Sequence, residues 1–346
     1  MNDTVSFIKF KKKSSIGNGE GKNSDVFLAR DEQFESDLVI KQLKKEKFKP
    51  EEYFTEAKML YENKHPNIVE IQYASQDEDF IYLAMPYYKR GSLNSLAETR
   101  FLSVREIVKY ILDLLTAVNY IHSKGLLHLD IKPTNILLDD TGRALLTDFG
   151  LSRYMDENGI AEQPCNYILH TDPEWYCSSG RSVQSDIYQI GLTIYRLCNG
   201  VNILKEQYSQ MGIKDQMQLK RKVLAGEFPK RNYFLPHIPS KLRKIVIKAL
   251  KVDPEERYKN TIEMMNDLSD VQENLDWFFT GNFSEPYFKN DGTYGYSICI
   301  NAKKHIECYR QKIGVSKKTK INKYCSEYEN DNDLFSKLRS ILEALN

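Results

Sequence analysis

The sequence predicts an α+β protein of two lobes, a small strand-rich lobe followed by a larger and mainly helical one, with a small α/β extension at the C-terminus. Three observations carry this reading. Short segments of strand character dominate about the first 85 residues. Apolar side chains then recur at three- and four-residue spacing from Gly91 to about Leu275, and alternation returns from residue 285.

In chain order, "VSFIKFKKKSSIG", "SDVFLAR", "DLVIKQL", "IVEIQYA" and "FIYLAMPY" read as strands. One helical stretch, "PEEYFTEAKMLYENK", interrupts them. Pro50 followed by Glu51 and Glu52 suits a helix start, because proline tolerates the first turn and carboxylates favour the positive end of the helix. In the second lobe "SVREIVKYILDLLTAVNYIHSKG" repeats apolar residues at helical spacing until Gly125 supplies a stop. Residues 285 to 314 alternate like strands around the turn signal "KNDGTYG". "DNDLFSKLRSILEALN" closes the chain as an amphipathic helix begun by Asp331 or Asn332. The boundaries drawn from these signals are 10–86 and 89–275 for the two lobes and 281–346 for the extension.

At 346 residues, 41% hydrophobic and 28% charged, the chain can bury a sizeable core. Lysine plus arginine (49) nearly cancels aspartate plus glutamate (48), which removes any bulk attraction to nucleic acid or anionic membrane. Between Ala302 and Lys323, however, eight basic residues face one acid, Glu307. Such a run reads first as a solvated face, with an acidic partner or nucleic acid as the functional alternative. The six cysteines include no C-x-x-C pair, and His305, Cys308 and Cys325 lack an evident fourth ligand, so neither a zinc site nor a disulfide framework is expected. "MNDTVSFIKFKKKSS" has no apolar core of signal-peptide length, and no apolar stretch reaches ~18 residues. The expectation is a cytoplasmic protein with reduced thiols, neither secreted nor membrane-spanning.

The chemistry begins at "GNGEGKNSDVFLA", where Gly19, Gly21, Ser24 and Val26 form G-x-G-x-x-S-x-V. Glycines between two strands let backbone N–H groups approach phosphate oxygens. Alone, the pattern equally describes a flexible hairpin. Lys41 ends "LVIK" twelve residues after Ala29, and Glu56 lies on the following helix, in range for an internal ion pair. Further on, "HLDIKPTN" spaces Asp130, Lys132 and Asn135 as D-x-K-x-x-N, and "TDFG" sets Asp148 before Phe149 and Gly150.

With "DPE" at 172–174, "SDIYQIG" at 185–191 and Arg257 in "DPEERY", the ordered set resembles the eukaryotic-type (Hanks-type) serine/threonine protein kinases over roughly residues 10 to 275. The resemblance implies the bilobal protein kinase fold, with a five-stranded first lobe holding one helix. It also implies ATP- and magnesium-dependent phosphoryl transfer to serine or threonine of protein substrates. Phosphoryl transfer is mostly positioning and charge neutralisation. On this likeness Lys41 would hold the α- and β-phosphates and Glu56 would orient Lys41. Asn135 and Asp148 would take magnesium, Asp130 would receive or orient the substrate hydroxyl proton, and Lys132 would neutralise the γ-phosphate. "YLAMPYYKRGSL" resembles the interlobe hinge, with Met85 as gatekeeper and Pro86, Tyr87 and Tyr88 after it. The family uses the carbonyl of the first hinge residue and the N–H and carbonyl of the third, so Pro86 lacks only a donor that is not required. Val26, Val39 and Leu137 would sandwich the purine, although all three would serve as ordinary core residues too. Glu174 and Arg257 would form a buried brace, Asp186 would accept N–H groups near His128 and Leu129, and Leu60, His128 and Phe149 would stack between the lobes.

Two departures stand out. Leu129 makes the motif HLD where the family usually has HRD, and that arginine can pair with a phosphate on the activation segment. The segment from Leu151 to Thr171 carries only Ser152, Tyr154, Tyr167 and Thr171 as hydroxyl side chains. Catalysis independent of activation-segment phosphorylation is therefore expected. Asn166 and Tyr167 also replace the Gly-Thr of many serine/threonine kinases, which leaves dual specificity open, while Lys132 is typical of the serine/threonine branch. The rival class is a pseudokinase scaffold, which the presence of Lys41, Asp130, Asn135 and Asp148 opposes. A microbial signalling or defence role is the setting expected for so compact a chain.

Overall fold

In the computed structural model, which describes residues 8–16, 24–47, 49, 54–162, 168–177 and 180–345, the first lobe is built on five antiparallel strands. They are β1 (Phe10–Ser15), β2 (Ser24–Asp31), β3 (Ser36–Lys44), β4 (Tyr73–Gln76) and β5 (Phe80–Pro86), ordered β1-β2-β3-β5-β4. Side chains alternate across the sheet. Phe27, Ala29, Leu38, Ile40 and Ala84 pack on one face, while Leu43, Ile81 and Leu83 join the main core on the other. Helix α1 (Thr55–Glu62) lies on that second face through Ala57, Met59 and Leu60. Pro50, Glu51 and Glu52 fall outside the described residues, as do Gly19, Gly21, Asn166 and Tyr167.

The second lobe opens with α2 (Leu93–Thr99) and α3 (Val104–Ser123). A reciprocal capping box starts α3, with Ser103 and Glu106 each satisfying the other's backbone N–H. Gly125, at φ +72°, turns the chain out of it, a left-handed conformation that glycine adopts without a steric penalty. Short pairings follow: β6 (Leu126–Leu127) with a later strand, and β7 (Ile136–Leu138) with β8 (Ala144–Leu146). The partner of β6 is β9 (Arg153–Tyr154). Beyond α4 (Pro173–Tyr176), helix α5 (Val183–Asn199) runs through the lobe, buried on nearly every side, with Asp186, Gln189 and Thr193 among its buried residues. α6 (Ile203–Gln210), α7 (Gln216–Leu224), α8 (Ser240–Ala249) and α9 (Thr261–Ser269) complete the lobe. The two-lobed α+β architecture matches the sequence expectation, and α1 is the one α-helix of the first lobe among the described residues.

The C-terminal part forms a second sheet: β10 (Phe278–Phe279), β11 (Tyr287–Asn290), β12 (Tyr294–Ile300), β13 (His305–Lys312), β14 (Lys318–Lys320) and β15 (Ser326–Glu327). The order is β10-β11-β12-β13-β14, and β15 also pairs with β13. Helix α10 (Asp331–Ala344) is capped by Asn330, whose side chain accepts from Asn332 N and Asp333 N. The sheet starts at Phe278, three residues ahead of the boundary at 281 drawn from the sequence. Ile298, Ile306, Cys308, Leu338 and Leu342 are fully buried and continuous with Trp277, Tyr287 and the core of the helical lobe. Arg339 donates to Phe234 O at 3.0 Å, and Arg105 holds Asp276 at 2.6 and 2.9 Å. β14 is an exposed lysine-rich edge, a composition that discourages pairing with other chains. No helix among the described residues is long and apolar enough to cross a membrane.

Because the extension shares one core with the helical lobe, Leu338→Ala is expected to cost about 2–5 kcal/mol and to shift the unfolding of that lobe with it. Urea denaturation followed by tryptophan fluorescence and by circular dichroism should give coincident curves; a separate early transition carrying all of the loss would contradict the shared core.

Candidate active site

Helix α5 presents Asp186, Gln189 and Thr193 at spacings of three and four, and this face grips the backbone of residues 128–131. Asp186 accepts from His128 N at 3.0 Å and from Leu129 N at 2.8 Å. Gln189 accepts from Ile131 N at 2.7 Å and donates to Leu129 O at 2.9 Å, while Thr193 donates to Ile131 O at 3.4 Å. Burial alone would push the Asp186 carboxyl up, yet His122, at 2.7 Å, and the backbone donors outweigh it and hold the group below its ordinary value. The grip keeps Leu129 at φ +64°, a costly conformation for a non-glycine residue.

Asp130, which this loop delivers, is buried, and its Oδ2 accepts from Asn135 Nδ2 at 2.8 Å with Lys132 Nζ at 2.9 Å. Its Oδ1, also buried, accepts no hydrogen bond among the described residues. Burial lifts the Asp130 carboxyl above the ordinary aspartate value against the pull of Lys132. Asn135 spends its amide nitrogen on Asp130, both on the carboxylate and on the backbone carbonyl at 2.9 Å, which leaves its side-chain oxygen outside these bonds.

The second constellation joins the lobes. Lys41 Nζ lies 2.8 Å from both oxygens of Glu56 and 2.7 Å from Asp148 Oδ1. Burial would depress the Lys41 ammonium, but the Asp148 and Glu56 charges more than reverse this and hold it above its ordinary value. Asp148 moves the other way: burial opposes ionisation, and Lys41 overcomes it and brings the carboxyl down to about 2. The Asp148 side chain, 42% exposed, opens onto the cleft, and its Oδ2 is outside the Lys41 contact. A Cβ on Gly150 would lie 3.4 Å from Asp148 Oδ1 and 3.6 Å from Lys41 Nζ, ordinary contact distances that leave room for a small side chain. Thr147 ties the two constellations, donating to Asn135 O at 3.0 Å while its own carbonyl lies 3.0 Å from His128 Nε2. Phe149 meets the His128 ring edge-on at 4.9 Å and shares the core with Leu60.

Strand register sets the roof of the cleft. Val26 faces Lys41 across β2 and β3, and Val39 faces Met85 across β3 and β5, so with Ser24 they share one face. Pro86 ends β5. Tyr88 O accepts from Gly91 N at 3.0 Å, and no hydrogen bond among the described residues uses the Tyr88 N–H. Leu137, on β7, is bridged to Ser92 just past this connection.

A family model described as the protein kinase domain matches residues 10–268. The chain belongs to the protein kinase family. Its two lobes are the bilobal kinase fold. Serine/threonine-protein kinase PknD of Protochlamydia amoebophila is 24% identical over 319 residues, covering 82% of this chain and 32% of PknD. CBL-interacting serine/threonine-protein kinase 19 of Arabidopsis thaliana is 29% identical over 249 residues, 69% of this chain and 49% of that protein. Serine/threonine-protein kinase PrkC of Bacillus subtilis is 27% identical over 259 residues, 72% of this chain and 39% of its own. The kinase chain thus spans between 32% and 49% of the length of these relatives.

Around the site of this kinase, Leu129 is fully buried among Leu127, Ala161, Met155 and Val183, an apolar pocket with no place for a charge. Ser152 is buried and donates to His128 O at 3.3 Å; Tyr154 is exposed and donates to Glu62 at 3.2 Å on α1. Arg257 clasps Glu174 with two bonds of 2.6 and 3.0 Å and donates to Lys251 O, Gln184 O and Val252 O. His305 pairs with Glu327 at 3.2 Å, and Cys308 donates to Tyr324 O. Sequence reasoning missed His122, Gln189 and Thr193. Gln189 and Thr193 follow Asp186 at helical spacing, and that was the signal available.

Arg257→Met should cost about 3–5 kcal/mol by stranding Glu174 in the interior, and Glu174→Leu added to it should recover most of the loss. Urea denaturation of the two variants checks this; equal stability of the single and double variants would show that the pair is not coupled.

Proposed function

We propose that the chain is an ATP- and magnesium-dependent protein kinase that phosphorylates serine or threonine of protein substrates without requiring a phosphorylated activation segment. The observation that carries the reading is the assembled cleft, in which Lys41 is locked by Glu56 and Asp148 while Asp130 keeps one oxygen without a donor. The relatives named serine/threonine-protein kinases support the acceptor class.

Asp148 and Asn135 offer hard oxygen donors, the chemistry that magnesium selects, and they are the residues that would hold it. ATP brings the phosphoryl group and magnesium screens the charge on its oxygens. Lys41, charged because two carboxylates surround it, would fix the α- and β-phosphates. Val26, Val39 and Leu137 would hold the purine, with Met85 behind it, and Pro86 O and Tyr88 N–H would meet its edge; Gly19, Gly21 and Ser24 would cover the phosphates. Asp130 Oδ1 would take the hydrogen bond of the acceptor hydroxyl and align its oxygen, and burial makes this carboxylate more basic than a free aspartate. Lys132, fixed on the other oxygen, would balance charge on the phosphoryl group in transit.

Independence from phosphorylation is supported by the Leu129 pocket and by the hydroxyls of the segment, of which Ser152 and Thr171 are buried. The part from residue 281 onward is read as an accessory module, and its basic 303–323 stretch as a solvated face rather than a nucleic-acid site: Lys320 is spent on Glu307 and Lys304 on Glu329 O. A cytoplasmic setting goes with this reading, supported by five free cysteines among the described residues.

Radiolabelled ATP with magnesium and a generic protein acceptor tests the core of the proposal. Asp130→Asn should lower the rate about 10²- to 10⁴-fold, and Lys41→Ala should abolish it at ordinary ATP concentrations. No incorporation by the wild type would favour a scaffold, and an undiminished Asp130→Asn would remove Asp130 from its role. Phosphatase treatment should leave activity within about twofold; a large loss traced by mass spectrometry to residues 152–171 would overturn phosphorylation independence.

A further inference from the structure

Just past the activation segment lies one buried pair that the kinase roles leave unused. Asp172, which stands where the family usually has alanine, is fully buried, and Arg181 is 3% exposed. Arg181 Nε lies 3.3 Å from Asp172 Oδ2, an ion contact without the alignment of a hydrogen bond. Two charges withdrawn from water in this way are costly unless the surrounding geometry uses them.

The surroundings do. Asp172 Oδ1 caps α4 by accepting from Trp175 N at 2.9 Å, and the Arg181 guanidinium lies over the Trp175 ring at 5.0 Å. The Arg181 backbone exchanges two hydrogen bonds with Ala161, at 2.7 and 2.8 Å. Ala161 in turn packs against Leu129 in the apolar pocket. A continuous path therefore runs from Leu129 beside Asp130, through Ala161 and Arg181, to Asp172 at the far end of the segment. Two residues before Asp172, buried His170 has its Nε2 3.2 Å from Arg196 Nη1 and feels the Arg196 and Lys132 charges. The end of the segment is thereby set against the loop that carries Asp130 and Lys132.

We infer that Arg181 and Asp172, with the Leu129–Ala161 contact, form a built-in brace that positions the 168–176 stretch for the protein substrate, taking the place of an arginine paired with a phosphate. Arg181 is a positioning residue: it acts through Asp172 and Ala161. An aspartate instead of alanine at 172, an arginine at 181 and a leucine at 129 then have one common explanation. A phosphate-dependent segment needs its cation free to meet the phosphate, whereas here the cation is already paired with a carboxylate of the same chain.

The inference rests on the kinase reading, and the test keeps the two apart. Phosphate transfer by the wild-type full chain tests the reading; the brace is tested on peptide kinetics among the variants. Arg181→Met should raise KM for a peptide acceptor about tenfold, leave KM for ATP within about twofold, and increase hydrogen exchange across 168–177. Arg181→Lys should recover part of the peptide KM. The double variant Asp172→Ala with Arg181→Met removes the stranded carboxylate, so it should regain the wild-type melting temperature while keeping the raised peptide KM. If the double variant regains both, or if Arg181→Met leaves peptide KM unchanged in an active enzyme, the pair is only structural and the inference fails. If Arg181→Met does not fold, the double variant and Arg181→Lys still decide it. Phosphopeptide mapping of the active wild type closes the test: a phosphate on the segment whose removal alone raises peptide KM would also overturn the brace.

Discussion

The buried carboxylate of Asp186 is the point on which the rest of this structure depends. It lies on a helix surrounded by core, and it spends both oxygens on backbone donors of the 128–131 loop and on His122. A buried charge with this many donors is stable only in one arrangement, so the loop inherits the rigidity of the helix. The left-handed turn at Leu129, which would relax in a free peptide, persists for this reason, and it aims Asp130 into the cleft.

The second dependence runs between lobes. Lys41 comes from the first sheet, Glu56 from its helix and Asp148 from the second lobe, so a single ammonium reports whether all three elements are in register. None of the three is comfortable alone: Glu56 and Asp148 are like charges that repel each other, and Lys41 is the common partner that compensates both and is itself kept charged by them. The cleft is polar at its floor and apolar at its roof because β2 and β3 alternate, placing Val26, Val39 and Lys41 on one side while Phe27 and Ile40 go to the other.

How much of this could be read in advance depended on what each residue has to do. Lys41, Asp130, Lys132, Asn135 and Asp148 stood out in the sequence by their ordered spacing, and the structure gathers Asp130, Lys132 and Asn135 on one loop and sets Lys41 against Asp148. α1, α3 and α10 were legible because a half-buried helix must repeat every three or four residues. Strands β10, β14 and β15, of two or three residues, are too short for a period of two to show. The Asp172–Arg181 pair was hidden for another reason: it is closed by tertiary packing across a loop, and no periodicity connects its members. Leu129 was visible as an anomaly, but its pocket of Ala161, Met155 and Val183 belongs to distant segments and has no local signature.

The continuity of the core between the helical lobe and the C-terminal sheet bears on how the cleft can breathe. A tail on a linker would drift independently, but Trp277, Tyr287, Ile298 and Leu342 make the extension part of the heavier body. On the proposed kinase reading, opening and closing over a nucleotide would be the swing of a light lid, the five-stranded lobe, against a large anvil, with the bend taken up after Pro86, where β5 ends and the chain crosses to α2. Anything that grips the extension would hold the anvil still and leave the lid free to move.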